Sequence, residues 1–255
     1  MHQLKTIIIY TAIALNLAAC QEFAAGVKAP KPGQACSLAE NQSSTLLAPV
    51  NELPIRLYLD PKFKSSQVDL IKAAIGAWNN FSVISIKQKM FEIVETRALV
   101  NFHGYFSGYD FCADTAITEG VYVVSEDSVS HWKQLGYSEA TGGMTIRCSA
   151  GASPRMIMML NSVELTEDLF VGAALHELGH VLGLDHSCNN RDKGDGTIVC
   201  ERLGKSHPYR LAVMTGKTDF SSMSNGRQTW IIGTPLSGLQ QNDLDRAYCL
   251  YGGHP

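Results

Sequence analysis

From residue 174 to 187 the chain reads Ala-Leu-His-Glu-Leu-Gly-His-Val-Leu-Gly-Leu-Asp-His-Ser, and no other stretch constrains it as much. His176 and His180 are four apart. On a helix that spacing puts them about 40° apart around the axis and about one turn apart along it. Both imidazoles can then reach one ion at about 2.0–2.1 Å. His186 comes six residues after His180. On a continuing helix it would lie about 240° further round and out of reach. Gly183 removes the difficulty, because glycine adopts positive φ cheaply and ends helices. A turn there brings His186 back under the ion. Three neutral histidines leave one tetrahedral position open for water, the arrangement of a catalytic rather than a structural zinc. Glu177, beside the first ligand, is placed to take a proton from that water.

An amphipathic core helix with incidental histidines is the competing reading, and His176-Glu177-x-x-His180 alone does not separate the two. Gly183 and His186 at their required offsets decide for zinc. With those residues in place the sequence resembles the metzincin clan of zinc endopeptidases. Ser187 after the third histidine resembles the matrixin branch. The resemblance implies zinc ligands His176, His180 and His186, Glu177 as general base, and a later methionine turn. Leu211-Ala212-Val213-Met214-Thr215-Gly216 resembles that turn, in which Met214 would form the floor beneath the histidines. The terminal stretch Leu239–Gly252, ending Leu-Tyr-Gly, resembles the last helix of matrixin domains. Two departures are visible. The distance from motif to turn is longer than in matrixins, and the proline-tyrosine character that follows their turn is missing.

The first residues form a targeting segment. A weak basic start precedes a short apolar run, Ile7 to Leu17, too short to span a bilayer comfortably. Leu17-Ala18-Ala19-Cys20 resembles the bacterial lipobox. It implies removal of residues 1–19 and acylation of Cys20. The expected location is then a membrane surface, with Gln21 resembling lipoproteins sorted to the outer membrane. An ordinary signal peptide cleaved near Ala19 and an uncleaved anchor are the alternatives. Residues 20–50, centred on Pro30-Lys31-Pro32-Gly33, read as a flexible tether. Removing Cys20 from the seven cysteines leaves six, an even number that suits disulfides in an exported chain. Cys188–Cys200 closes the shortest loop and is the expected pair; the other pairings stay open. Cys36 lacks the residues around a matrixin-type thiolate switch and is expected in a disulfide.

The catalytic domain is expected over 51–255. Pro54–Leu59 alternates as a first strand. Ser66 is the expected cap of a helix carrying Val68, Ile71, Ala74, Ile75 and Trp78, closed at Asn79-Asn80. Strands are predicted at 83–86, 98–102, 120–124, 144–148 and 156–161. His103 and His131 are read as satisfied or surface histidines rather than a second metal site. The 144–148 strand is the candidate sheet edge along which, by the resemblance, peptide lies antiparallel. Thr166 is the expected cap of the active-site helix. Asp192–Gly196 lacks the ligands of a strong calcium loop and reads as a polar loop.

The fold expected is therefore α+β: a metzincin-like zincin domain, a twisted mixed sheet with an active-site helix and a C-terminal helix. A net charge of −3 argues against nucleic acid as a partner. The expected reaction is peptide-bond hydrolysis by a monomer acting on protein or peptide. A zinc-binding surface module without catalysis and a hydrolase of cell-wall peptide crosslinks are the alternatives.

Overall fold

The computed structural model describes residues 52–97, 119–134, 141–148, 155–162, 165–189, 198–215 and 238–252, together with the backbone of 218–224 and 227–232. The signal segment, the tether, Cys20, the 98–102 strand, His103 and the 192–196 loop lie outside them.

Five strands make one mixed sheet: β1 (Ile55–Leu59), β2 (Phe91–Thr96), β3 (Gly120–Glu126), β4 (Gly143–Arg147) and β5 (Arg155–Asn161). Their order is β2-β1-β3-β5-β4. The first four run parallel, and β4 pairs antiparallel with β5. The central strands β3 and β5 are buried along nearly their whole length. That is why Gly-Val-Tyr-Val-Val and Arg-Met-Ile-Met-Met-Leu read as continuous apolar runs rather than alternating ones. β4 is half-buried throughout, as an edge strand should be.

Two long helices, α1 (Ser65–Ser85) and, further along, the motif helix (Glu167–Leu182), pack on one face of the sheet. Ile71, Ala74, Ile75 and Trp78 are buried at helical spacing, as predicted. The Trp78 indole N–H donates to the Leu175 carbonyl at 3.2 Å and stitches the two helices together. A short helix, α2 (Val129–Gln134), places Trp132 on the other face, with Tyr58, Tyr122, Val124, Ile157 and Met159. The methionines of β5 divide by strand parity, Met156 and Met158 under the helices and Met159 on the opposite face. They are core.

Three sequence expectations fail here. α1 begins one residue before Ser66, with the Gln67 side-chain oxygen accepting the Lys64 backbone N–H at 3.0 Å. Asn79-Asn80 does not end it. Asn79 instead uses its side chain to hold β2, accepting from the Met90 and Phe91 N–H groups and donating to the Phe91 carbonyl, each at 2.9 Å. The helix runs on to Ser85 and stops at Lys87, whose φ is 63°. Val83–Ile86 is therefore not a strand: Val83 and Ile84 sit exposed on the last turn of α1. The second strand is β2 at 91–96.

The motif helix is α3 (Glu167–Leu182). Thr166 occupies its cap position, but its hydroxyl makes no capping bond. Glu167 and Asp168 are left to face the positive end of the helix. A short helix α4 (Pro208–Leu211) precedes the predicted methionine turn, and α5 (Gln241–Tyr251) closes the chain at Gly252. Gly252 is not left-handed. A Cβ there would lie 2.6 Å from the Tyr248 carbonyl oxygen, so close approach demands the glycine. Between them runs a hairpin, β6 (Thr218–Ser224) and β7 (Arg227–Ile232), which the sequence reading did not foresee.

Candidate metal centre

α3 ends as the spacing demanded. Gly183 has φ 101°, and the Leu184 N–H donates back to the Gly179 carbonyl at 2.9 Å. This turn also serves the second histidine. The His180 Nδ1–H donates to the Leu184 carbonyl at 2.8 Å. The His176 Nδ1–H donates to the Val213 carbonyl at 2.7 Å, and His186 Nδ1 faces Asn189 Oδ1 at 3.3 Å. A carbonyl oxygen can only accept, so these contacts place the ring protons on Nδ1. The Nε2 atoms carry lone pairs, and they converge. Their separations are 3.1 Å (His176–His180), 3.2 Å (His176–His186) and 3.3 Å (His180–His186). Three bonds of about 2.05 Å at tetrahedral angles require edges of about 3.3 Å.

Protons do not resolve the convergence. Burial pushes His176 down to about 3, with the neighbouring His186 adding to the effect. Burial and both neighbouring histidines hold His180 well below the ordinary imidazole range. Three lone pairs on half-buried rings aimed at one point call for a cation. Among the described residues these are the one group of three or more His, Cys, Asp or Glu side chains close enough to share an ion. The site fits Zn2+.

Glu177 is 4% exposed and turns towards β4. The Thr145 hydroxyl donates to its Oε2 at 2.7 Å. Burial pushes the carboxyl up to about 8, and the Thr145 bond pulls the other way. A divalent cation among the histidines would favour the carboxylate further.

Met214 is fully buried and packs against Gly179 of the ligand helix. A Cβ on Gly179, between the two helical histidines, would overlap the Met214 sulfur and lie 3.1 Å from its Cε. The turn is fixed from below by Asp243 of α5. Its carboxylate accepts the Val213 and Met214 N–H groups at 2.9 and 3.1 Å and the Gln240 N–H at 3.0 Å. Burial raises Asp243 above the usual carboxylate range, against these bonds and the nearby Arg246 charge. Arg246, also buried, donates to the Asp185 carbonyl at 2.7 Å, one residue before the third ligand. Ser187 is buried as well, its hydroxyl on the Tyr209 carbonyl at 2.7 Å and its N–H on the Met214 carbonyl at 2.8 Å. The predicted Cys188–Cys200 disulfide is present, with Cα atoms 5.0 Å apart. Cys148 and Cys249 are disulfide-bonded too.

No protein-family model matches the chain, and no curated protein matches it either. Among solved structures it is similar to high choriolytic enzyme 1, a hatching enzyme zinc-protease from the medaka fish Oryzias latipes. The identity is 17% over 82% of this chain and 96% of that one, with a TM-score of 0.40. A likeness at that level decides nothing about chemistry; the metal site stands on its own geometry.

Every predicted ligand, Glu177 and Met214 thus meet at the end of α3. His131 does not join them. Its Nδ1 lies 3.0 Å from Glu126 Oε1, so it is a satisfied histidine, as read from the sequence. The sequence reading missed Thr145, Asn189, Asp243 and Arg246. A signal existed for the last two. Asp243 and Arg246 are opposite charges three apart, in line with Ala247 and Leu250 on the apolar stripe of α5.

Proposed function

We propose that the chain is a zinc-dependent endopeptidase of metzincin type, matrixin-like in its motif, with Glu177 as general base. The observation that carries this is the convergence of three Nε2 lone pairs at the end of α3, with the carboxylate of Glu177, the residue after the first ligand, hydrogen-bonded to the edge strand β4. A structural zinc site has no use for Glu177. Zinc held by His176, His180 and His186 would supply Lewis acidity, lowering the pKa of water and polarising a carbonyl.

The chain's own residues do the rest. The Nδ1 bonds to Val213, Leu184 and Asn189 hold the rings in the tautomer that presents Nε2. Glu177 accepts a proton from the attacking water as its oxygen bonds to the peptide carbon. The C–N bond then breaks, and Glu177 returns the proton to the leaving amine nitrogen. Among the described residues β4 pairs with β5 alone, so its outer edge can hydrogen-bond an extended peptide backbone. Gly142 lets that edge come close to α3, since a Cβ there would be 3.0 Å from the Ala173 Cβ. Acylation at Cys20 would hold the domain at a bacterial membrane surface, in reach of exported protein substrates.

The test uses the zinc-loaded protein and Glu177→Ala, each incubated with a proteome-derived peptide library, with cleavages read by mass spectrometry. The reading expects cutting by the native chain, stopped by a chelator, and silence from a variant that still holds zinc. Zinc bound with no cleavage by either protein would overturn it in favour of a binding module.

A further inference from the structure

Glu177 leaves α3 and its carboxylate enters a slot in the edge strand. The slot is built by strand parity. Met144 and Ile146 pack with the Tyr58–Tyr122 side of the sheet, so Gly143 and Thr145 face α3. The register agrees. Gly143 pairs with Leu160 and Thr145 with Met158, both of which belong to the core under the helices. Gly143 makes room: a Cβ there would lie 2.6 Å from Glu177 Cγ and 3.1 Å from Oε1. Thr145 supplies the donor. Its hydroxyl is 2.7 Å from Oε2 and 3.3 Å from the Glu177 carbonyl oxygen, and its single proton goes to the nearer, charged acceptor.

We infer that Thr145 is the positioning residue for Glu177, so that one strand both aligns the substrate backbone and fixes the base. This rests on the peptidase reading. Its physical content is that peptide register and base position are set within a single element. A peptide paired along β4 meets a carboxylate anchored to the same backbone two residues from Gly143. Correct alignment of a base is worth orders of magnitude in rate, and a side chain with several rotatable bonds loses that alignment when its anchor goes.

Three variants separate positioning from support. Thr145→Val keeps the shape and the strand preference and deletes only the donor. Thr145→Ser keeps the donor. On a peptide cut by the native zinc-loaded protein, Thr145→Val should lower kcat about ten- to a hundred-fold, the range of a hydrogen bond to a charged group. KM should move less than about two-fold, and Thr145→Ser should recover most of kcat. Zinc content should be the same in all three. A stability cycle reads the contact without activity. Thr145→Val should lower the unfolding midpoint of the native chain and leave that of Glu177→Ala nearly unmoved. Unchanged kcat in Thr145→Val, or additive midpoints in the cycle, would overturn the inference while leaving the peptidase reading intact. A native protein that holds zinc and cuts nothing would overturn both, and the cycle would then report only whether the bond exists.

Discussion

Two glycines on two helices should respond to the same substitution with opposite sign. Gly76 lies inside α1, and a Cβ there meets nothing within 4 Å. Alanine removes the entropic cost of a helical glycine, so Gly76→Ala should stabilise by about 0.8 kcal/mol. That is about 2–3 °C in Tm for a domain of this size. Gly179 lies inside α3 and enjoys the same intrinsic gain. Its Cβ, however, would overlap the sulfur of Met214, a side chain with no exposed surface. Overpacking of that kind costs about 2 kcal/mol, which leaves Gly179→Ala about 1 kcal/mol less stable. The displaced methionine supports the ligand helix, so zinc affinity should fall with it. Thermal unfolding with and without zinc, and a competition titration for the metal, read both effects. In a Met214→Ala background the clash is gone, and Gly179→Ala should turn stabilising. A Gly179→Ala protein as stable as the native one, with unchanged zinc affinity, would refute the packing of Met214 against Gly179.

Asp243→Asn should destabilise by about 2–4 kcal/mol in urea unfolding, because it sets an amide N–H2 against backbone donors and removes the buried charge facing Arg246. Replacing Cys188 and Cys200 by alanine reopens a loop twelve residues long, costing about 2–3 kcal/mol by denaturant titration, and should weaken zinc through Asn189 and His186. Glu177, raised to about 8 when folded, adds stability as pH falls from about 8, so the opposing histidine effect is read in a metal-free Glu177→Gln protein, which should lose stability as pH falls. His176 is depressed to about 3 when folded and titrates near 6.5 when unfolded. The unfolded chain therefore binds the extra proton between those values, and stability is full above about pH 6.5 and declines below it. Denaturant midpoints across pH 4–8 would show this, and a midpoint that rises towards acid would contradict it. Zinc added at about 1,000 times its Kd should raise stability by about 4 kcal/mol, seen as a chelator-reversible Tm shift.

How much of this was legible depended on how local the cause is. His176, Glu177, His180, Gly183 and His186 lie within eleven residues, and their helix-then-turn geometry follows from rotation per residue alone. The end of α1 was not legible. Val83-Ile84 carries strand-favouring side chains, and Asn79-Asn80 looks like a stop. Asn79, though, is held within the helix by bonds to Met90 and Phe91, which exist only once β2 has docked. Asp243 supports a turn about thirty residues upstream, a relation no local period contains. Thr145 was nearer to hand. Parity put it on the helix side of the edge strand, but its meeting with Glu177 needs the close approach that Gly142 and Gly143 permit. The α+β core, the metal ligands, Gly183 and the Cys188–Cys200 pair could thus be read from the chain, whereas the long-range contacts of Thr145, Asn189 and Asp243 that hold the site in place could not.

The most direct test of the metal centre is X-ray absorption at the zinc edge of the loaded protein, with metal content measured alongside. The account predicts one zinc per chain, three imidazole nitrogens at about 2.0–2.1 Å and a single further oxygen. A sulfur shell near about 2.3 Å, a fourth protein nitrogen, or failure to hold a full equivalent of zinc would contradict it.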